Sequence, residues 1–198
     1  MIRAELVKEL REQTGAGIMD CKKALQESKG DLKKATTYLR ERGFAVAAKK
    51  AGRAANDGKI EAYIHGGGKL GVLIEVNCET DFVAKTDDYQ QLCRELAMQV
   101  AAANPVYIER NDVPQEKIET EKSVYETQAM NEGKPEKVIE RIVSGRMEKF
   151  YQDICLLEQP YIRDPDRTVG DLVNEYIAKF GENIIIRRFC RFQLGEKS

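Results

Sequence analysis

Residues 60–78 read IEAYIHGGGKLGVLIEVNC and carry the clearest strand pattern of the chain. Apolar side chains recur at every second position on both sides of Gly66-Gly67-Gly68, as in β-strands that bury one face. Three consecutive glycines supply the positive φ angles that a tight hairpin turn requires. We therefore predict two antiparallel strands joined at this turn. A phosphate-binding loop would need a helix after the glycines, whereas a strand follows them here.

The segments after the hairpin predict several helices and one more strand. Helical spacing of apolar residues occurs in three stretches, which are residues 87–103, 113–158 (broken near Gly133) and 168–180. Asp87 or Asp88 is expected to cap the first of these helices. Residues 184–194 form the last strand, which should return to the hairpin because an isolated hairpin is only marginally stable in water. The predicted fold class is therefore α+β, with a three-stranded antiparallel sheet and helices.

The last strand has no polar face. Simple alternation places Ile184, Ile186, Arg188, Cys190 and Phe192 on one side and the intervening residues on the other. Since both sides carry large apolar side chains, we expect both to be contacted, one of them by a second subunit.

Residues 1–50 read as three short helices that predict a small bundle similar to a ubiquitin-associated domain. Turn residues at Thr14-Gly15 and Gly30 end the first two helices, and Gly43 is expected to end the third. The second helix carries an apolar stripe made of Ile18, Cys21, Ala24 and Leu25. We expect this head at 1–50, a linker at 51–58 (with some helical extension after residue 44), and a core and dimerisation domain at 59–198.

Composition narrows the class of protein. The 198 residues are 42% hydrophobic with a net charge of −1, which is typical of a globular chain and argues against a dedicated nucleic-acid-binding protein. Residues 1–60 carry a formal charge of +6 and the rest −7, so the two parts are expected to present different surfaces. No apolar run approaches the roughly 20 residues of a membrane span, so we expect no membrane association.

The cysteines and the single histidine give no sign of catalysis. Five cysteines are scattered without a C-x-x-C pair, which predicts a reduced, cytoplasmic protein without a metal site, and no cofactor is expected. His65 has no evident orienting partner or nucleophile, which favours a structural role beside the turn. Cys190 could approach its copy across a twofold axis, although the cytosol disfavours a stable disulfide.

The turn after the hairpin places Asp81 beside Phe82. An exposed ring often marks a contact site. The alternative is a hydrophobic staple, in which Phe82 packs on the following helix and Asp81 serves as an acid in its first turn. The residues alone leave both interpretations open.

Several long motifs make the chain resemble the family of translation elongation factor Ts. They are TGAGIMDCKKAL at 14–25, LRERG at 39–43, GVLIEVNCETDFVA at 71–84, LLEQP at 156–160, and GENI with RRF between 181 and 189. The chain looks like the short, bacterial-type form, without room for the extra dimerisation segment and C-terminal module of longer members. Short forms work as homodimers joined through the core sheet.

The resemblance implies a guanine nucleotide exchange factor that is not an enzyme. Its partner would be elongation factor Tu carrying GDP, and it would promote GDP release by disturbing the Mg²⁺ and phosphate site. The segment implicated in displacing Mg²⁺ matches Thr80, Asp81, Phe82 and Val83. The head, which we expect to dock through Thr14, Gly15, Gly17 and Met19, would bind the same partner domain, and the dimer interface would include Arg188, Cys190 and Phe192.

Three other classes remain to be weighed. A head fused to a scaffold would make a generic adaptor. An RNA-associated factor could use the basic head together with the arginines and phenylalanines of residues 187–192. A cysteine enzyme would need Cys78 or Cys93 as nucleophile, for which the sequence shows no base.

Overall fold

The computed structural model describes residues 2–196 and shows a mixed α+β chain. In chain order its elements are α1 (Ala4–Thr14), α2 (Ile18–Glu27), α3 (Leu32–Lys50), β1 (Asp57–His65), β2 (Leu70–Cys78), α4 (Asp81–Ala84), α5 (Asp87–Ala103), α6 (Gln115–Asn131), α7 (Glu136–Ile154), β3 (Pro160–Tyr161), β4 (Asp164–Thr168), α8 (Val169–Phe180) and β5 (Ile185–Gln193). Of the helices within residues 2–196, none is both long enough and apolar enough to span a bilayer.

The glycine turn joins β1 to β2 as predicted. The two strands pair antiparallel, with His65 opposite Leu70, and Gly66, Gly67 and Gly68 adopt φ values of 60°, 69° and 87°. β5 returns to the hairpin and pairs antiparallel with the free edge of β2, giving the order β1-β2-β5. The α+β class with a three-stranded antiparallel sheet is therefore confirmed.

β5 contains a bulge that its sequence did not reveal. Glu75 of β2 lies opposite Arg188, but the next residue, Val76, lies opposite Ile186. Arg187 is therefore one residue more than the partner strand can match, and side-chain alternation along β5 changes by one position there.

The bulge corrects the predicted faces of this strand. Ile184 and Ile186 are 4% and 6% exposed and belong to the core. The three predicted interface residues lie on the opposite, outer face of the sheet, away from these isoleucines. They are Arg188, Cys190 and Phe192. The prediction that all five side chains share one face is wrong, because an inserted residue reverses the direction of every side chain after it.

The main core lies between the inner face of the sheet and two helices, α5 and α8. α5 crosses β1 and β2 and buries Leu92, Leu96 and Val100 completely. Its N-cap is Thr86, whose Oγ accepts from the backbone N–H of Tyr89 at 3.3 Å. The expectation that Asp87 or Asp88 caps this helix is therefore wrong: both lie in its first turn, where a carboxylate stabilises the helix dipole instead.

The three-helix head at the N-terminus is confirmed, but its third helix does not end at Gly43. α3 continues to Lys50, and the buried Gly43 faces α8: an added Cβ would sit 3.8 Å from the Cβ of Ala178, an ordinary contact distance. Ala47 of the same helix is part of the main core. The packing of α3 on α8 carries the helix through Gly43, although glycine inside a helix costs about 1 kcal/mol relative to alanine. One helix therefore belongs to both the head and the core, and the division at residue 50 stays a prediction.

α6 and α7 form a helical hairpin with a small apolar cluster of its own, which includes Val143, Met147 and Phe150. The helices are separated at Gly133, as predicted. After α7, β3 pairs with β4 in a short ribbon that sequence patterning did not predict, since β3 is only two residues long.

Candidate partner-binding surfaces

The turn after β2 is built by Thr80. Its extended backbone (φ −132°, ψ 153°) ends the strand, and its Oγ accepts from the backbone N–H of Val83 as N-cap of α4. The four-residue α4 then reverses the chain before Thr86 starts α5. A strand end and two helix caps within nine residues, from Cys78 to Thr86, fix the path of the backbone at this corner.

Phe82 projects from this corner into solvent. Its side chain is 80% exposed, the most exposed of the large apolar residues from 2 to 196. Val83, the next residue, packs against the main core. The staple interpretation of Phe82 is therefore wrong, because a stapled ring would be covered by the helix that follows it.

Asp81 is paired with Lys85 one helical turn later, at 2.5 Å between Oδ2 and Nζ. The hydrogen bond and charge of Lys85 lower the pKa of Asp81 below its usual range, and those of Asp81 raise the pKa of Lys85. Both groups are charged at neutral pH and stand in water. The carboxylate beside Phe82 is thus a half-exposed anion whose counter-charge, Lys85, is also on the surface.

The head presents a second exposed corner between α1 and α2. Gly15 ends α1 with φ 65° and donates its backbone N–H to the carbonyl of Arg11 at 2.8 Å, while Gly17 is the N-cap of α2. Thr14 fixes the corner by donating its hydroxyl to the carbonyl of Leu10 at 2.7 Å. Met19 is 73% exposed. The structure therefore brings the four predicted head residues together at one turn.

Ile18 belongs to the same corner, which the sequence did not indicate. Its side chain is 57% exposed, whereas Cys21, Ala24 and Leu25 of the predicted stripe are fully buried. Ile18 occupies the first position of α2, where the chain enters from the surface, so helical spacing alone assigned it to the wrong environment.

The head corner lies next to the start of α5. Lys179 of α8 pairs with Asp88 of α5 at 2.7 Å and lies beside Gly15 of the head. Ile18, Asp88 and Lys179 line one open cleft. Because Asp88 follows Phe82 by only six residues, the Phe82 corner is at most about 20 Å along the chain from a residue of that cleft.

The outer face of the sheet is a third exposed surface. Leu73 lies opposite Cys190, Gly71 opposite Phe192, and Glu75 opposite Arg188. Phe192 is 69% exposed and Leu73 45%, and two residues of β1 add to the patch, Ile60 (61%) and Ile64 (68%). The predicted interface residues thus stand within an apolar sheet face that also bears the Glu75–Arg188 ion pair of 2.8 Å.

The cysteines that a cysteine enzyme would need are inaccessible. Cys78 and Cys93 are fully buried, and burial raises the pKa of both thiols, that of Cys93 to about 12. Cys21 and Cys155 are also buried, and Cys190 is exposed. A neutral, buried thiol is a poor nucleophile, so these residues act as core packing groups.

The remaining polar candidates are engaged locally. His65 accepts or donates one hydrogen bond through Nδ1 to the Tyr63 hydroxyl at 2.8 Å, beside the turn. Arg188 and Arg191 of β5 pair with Glu75 and Glu196 at 2.8 and 2.9 Å. Between residues 2 and 196 there is no cluster of three or more metal-ligating side chains.

Comparison with known proteins identifies the family. The sequence profile of a family described as "Elongation factor TS" matches residues 6–196. The chain is 65% identical to elongation factor Ts of Caldanaerobacter subterraneus subsp. tengcongensis over 196 residues, covering 99% of this chain and 98% of that protein. It is 64% identical to elongation factor Ts of a Thermoanaerobacter species, over 99% and 96% of the two chains, and 63% identical to that of Moorella thermoacetica, over 99% and 97%. The chain belongs to the elongation factor Ts family, a family of translation elongation factors.

Proposed function

We propose that this protein binds elongation factor Tu carrying GDP and accelerates the release of GDP during translation elongation. The observation that carries the proposal is the Phe82 ring, 80% exposed on a corner whose backbone is capped on both sides. A large ring kept in water on a rigid support is typical of an anchor that enters a pocket of a partner. The protein acts by binding alone, in the cytoplasm, without catalysing a covalent step.

The mechanism is a linkage between two binding equilibria. A GTPase holds its nucleotide through Mg²⁺ and backbone donors around the phosphates. An exchange factor that binds better when this site is distorted must weaken the nucleotide by the same factor. A thousandfold faster release requires roughly 4 kcal/mol of differential stabilisation. One buried aromatic anchor contributes about 2 kcal/mol or more, so Phe82 needs further contacts.

The Phe82 corner is assigned the displacement of Mg²⁺ in the partner. Phe82 is the inserted ring and Asp81 the adjacent anion, which can compete for cations or donors near the phosphates. Thr80 and Val83 hold the corner, the former as helix cap and the latter by packing on the core. This division of roles explains why four neighbouring residues act as one unit.

The head supplies the docking contacts. Thr14, Gly15 and Gly17 shape its exposed corner, and Met19 and Ile18 provide apolar surface there. The cleft that the head shares with Asp88, six residues after Phe82, supports contact with a single domain of elongation factor Tu. The basic charge of the N-terminal residues can assist the encounter with an acidic partner.

The protein is further proposed to form a homodimer through the outer face of its sheet, with Arg188, Cys190 and Phe192 in the interface. The apolar patch of Ile60, Ile64, Leu73 and Phe192 supports this, since two such faces can pack as a β-sandwich. No direct nucleic-acid or membrane partner is proposed.

The deciding experiment uses fluorescent GDP bound to elongation factor Tu. The rate of fluorescence loss should increase with the concentration of this protein and then saturate, and nucleotide-free elongation factor Tu should bind more tightly than the GDP-bound form. An unchanged release rate would refute the proposal. Equal affinity for both forms would favour an adaptor, and strongly salt-dependent RNA binding would favour the RNA-associated alternative.

A further inference from the structure

The loop between α8 and β5 holds the Phe82 corner from behind. It contains Glu182, whose Oε2 accepts the backbone N–H groups of Glu79 and Thr80, both at 3.1 Å. Its Oε1 accepts the Thr80 hydroxyl at 2.6 Å. One carboxylate thus binds three donors of the two residues that immediately precede α4, although it lies more than 100 residues away in sequence.

Glu182 is itself firmly anchored. Gly181 before it ends α8 by donating its backbone N–H to Ile177 at 2.9 Å. Asn183 after it is 2% exposed, and its side-chain amide donates to the carbonyl of Arg53 at 2.8 Å. The backbone N–H of Asn183 donates to Oε1 of Glu79 at 2.7 Å. Glu182 is half-buried, and the residues on both sides of it are held in place by these hydrogen bonds.

We propose that Glu182 is a positioning residue for nucleotide exchange, which holds the Phe82 ring in the orientation needed to enter the partner. The inference rests on the proposed exchange function and extends it to a residue outside the contact surface. Phe82 itself is 80% exposed and receives little support from its neighbours, so its direction is set by the backbone at Thr80. Glu182 controls that backbone.

The physical argument concerns the cost of ordering. Hydrogen bonds to a carboxylate are stronger than those between neutral groups, and three of them restrict the rotation of residues 79 and 80. Without them the corner samples more conformations, and binding must select the productive one. A loosely held anchor loses the part of its binding energy that would distort the nucleotide site. Docking through the head does not depend on this anchor, so the affinity that it provides should not change.

Two substitutions test this in the full chain. Glu182→Ala removes all three acceptors and should lower the maximum rate of GDP release about tenfold, with little change in the concentration that gives half of the maximum rate. Glu182→Gln keeps one oxygen that can accept both backbone N–H groups, so it should restore part of the rate, leaving a loss of about threefold. Thermal unfolding verifies that each variant is folded.

Glu148→Ala is the matched control. This substitution also removes a carboxylate that accepts close hydrogen bonds, from Arg110 at 2.6 and 3.0 Å, but Glu148 lies on the α6–α7 hairpin away from the Phe82 corner. Its maximum rate should equal that of the wild type. An equal loss in this variant would mean that general destabilisation, and not positioning, lowers the rate.

A second measurement needs no partner. The chain has no tryptophan, so Phe82→Trp introduces a single tryptophan at the corner, which can be excited selectively at wavelengths that tyrosine does not absorb. Adding Glu182→Ala or Glu182→Gln should give faster local anisotropy decay of that fluorophore and faster hydrogen exchange at the Thr80 amide. These two measurements test whether Glu182 holds the corner, and they do not depend on exchange. A wild-type protein that fails to release GDP from elongation factor Tu would refute the exchange function instead. A wild-type maximum rate and wild-type anisotropy in Glu182→Gln, or in a folded Glu182→Ala, would overturn the assignment.

Discussion

Phe82 and Val83 are adjacent on the same helical turn and face opposite environments. The Phe82 ring is 80% exposed, whereas Val83 packs on the main core. One residue is thus available to a partner because the next one anchors the turn. This arrangement separates contributions to binding from contributions to stability.

The first prediction compares these neighbours. Phe82→Ala should change the free energy of unfolding by less than about 0.5 kcal/mol, since little of the ring is buried. It should lower the rate of stimulated GDP release about thirtyfold, equivalent to ~2 kcal/mol. Val83→Ala should cost about 1 kcal/mol of stability through lost packing. Urea unfolding and stopped-flow fluorescence measure the two quantities, and normal exchange by Phe82→Ala would remove the ring from the mechanism.

The second prediction concerns docking by the head. Met19→Lys places a charge on the apolar corner and should increase several-fold the concentration needed for half-maximal exchange, with the maximum rate unchanged. Met130→Lys is the control, because Met130 is similarly exposed (61% against 73%) but lies on α6. If both variants titrate like the wild type, the head corner is not a docking surface.

The third prediction tests association through the sheet. Leu73→Glu introduces a charge into the outer face, where an unpaired buried carboxylate is costly, and should raise the dimer dissociation constant at least about tenfold. Val106→Glu changes a residue of comparable exposure (54%) away from that face and should leave association unchanged. Sedimentation over a range of concentrations distinguishes these outcomes. A wild-type protein that remains monomeric throughout would contradict the proposed dimer.

The fourth prediction concerns the junction between head and core. The guanidinium of Arg40 on α3 donates to the carboxylate of Asp171 on α8, whose side chain is only 10% exposed. Arg40→Ala leaves this carboxylate with the Thr168 N–H alone and should cost about 1–2 kcal/mol. Arg42→Ala breaks a more exposed pair with Asp20 inside the head and should cost under about 0.5 kcal/mol. An equal loss of unfolding free energy in both variants, measured by urea unfolding, would show that the Arg40–Asp171 pair stabilises the protein no more than the exposed pair does.

The fifth prediction is a loss of stability at alkaline pH. Burial raises the pKa of Cys93 from 9.0 to about 12. Between these values the unfolded chain releases the thiol proton and the folded chain keeps it, so the free energy of unfolding falls as pH rises. Below pH 9.0 this group should have no effect. Cys93→Ala should make the alkaline decline shallower, whereas Cys190→Ala, at an exposed position, should not; unfolding measured at a series of pH values checks both.

Local patterns were sufficient to predict most of the secondary structure. Strand alternation and three glycines identified the hairpin, and Gly133 and Gly181 marked real helix ends. Gly43 looked identical as a helix terminator, yet it lies within α3, a helix that packs on α8. Whether a helix continues through a glycine depends on its tertiary contacts, here with residues more than 130 positions away, which the local sequence does not show.

The same distinction applies to the candidate site. The exposed ring and acid could be singled out because they are unusual together at a strand-to-helix turn. The bulge at Arg187 and the hydrogen bonds of Glu182 to the Phe82 corner could not be predicted, since both depend on which residues of distant strands and loops meet. The bulge appears only in the pairing of β5 with β2, so the sequence of β5 alone gives no sign of it. The three hydrogen bonds of Glu182 join two distant segments whose sequences share no pattern.

Because α3 runs without a break from the head into the core, the number of residues in it sets the orientation of the head relative to the core. Each residue in an α-helix advances the axis by about 1.5 Å and rotates it by about 100°. Inserting one residue between Leu39 and Gly43 would therefore turn the head relative to the core by about 100°, although the apolar cluster of the head, which precedes the insertion, would be kept. The exposed side chains of α3 can change without altering this orientation, whereas a change in its length other than by whole turns would alter it.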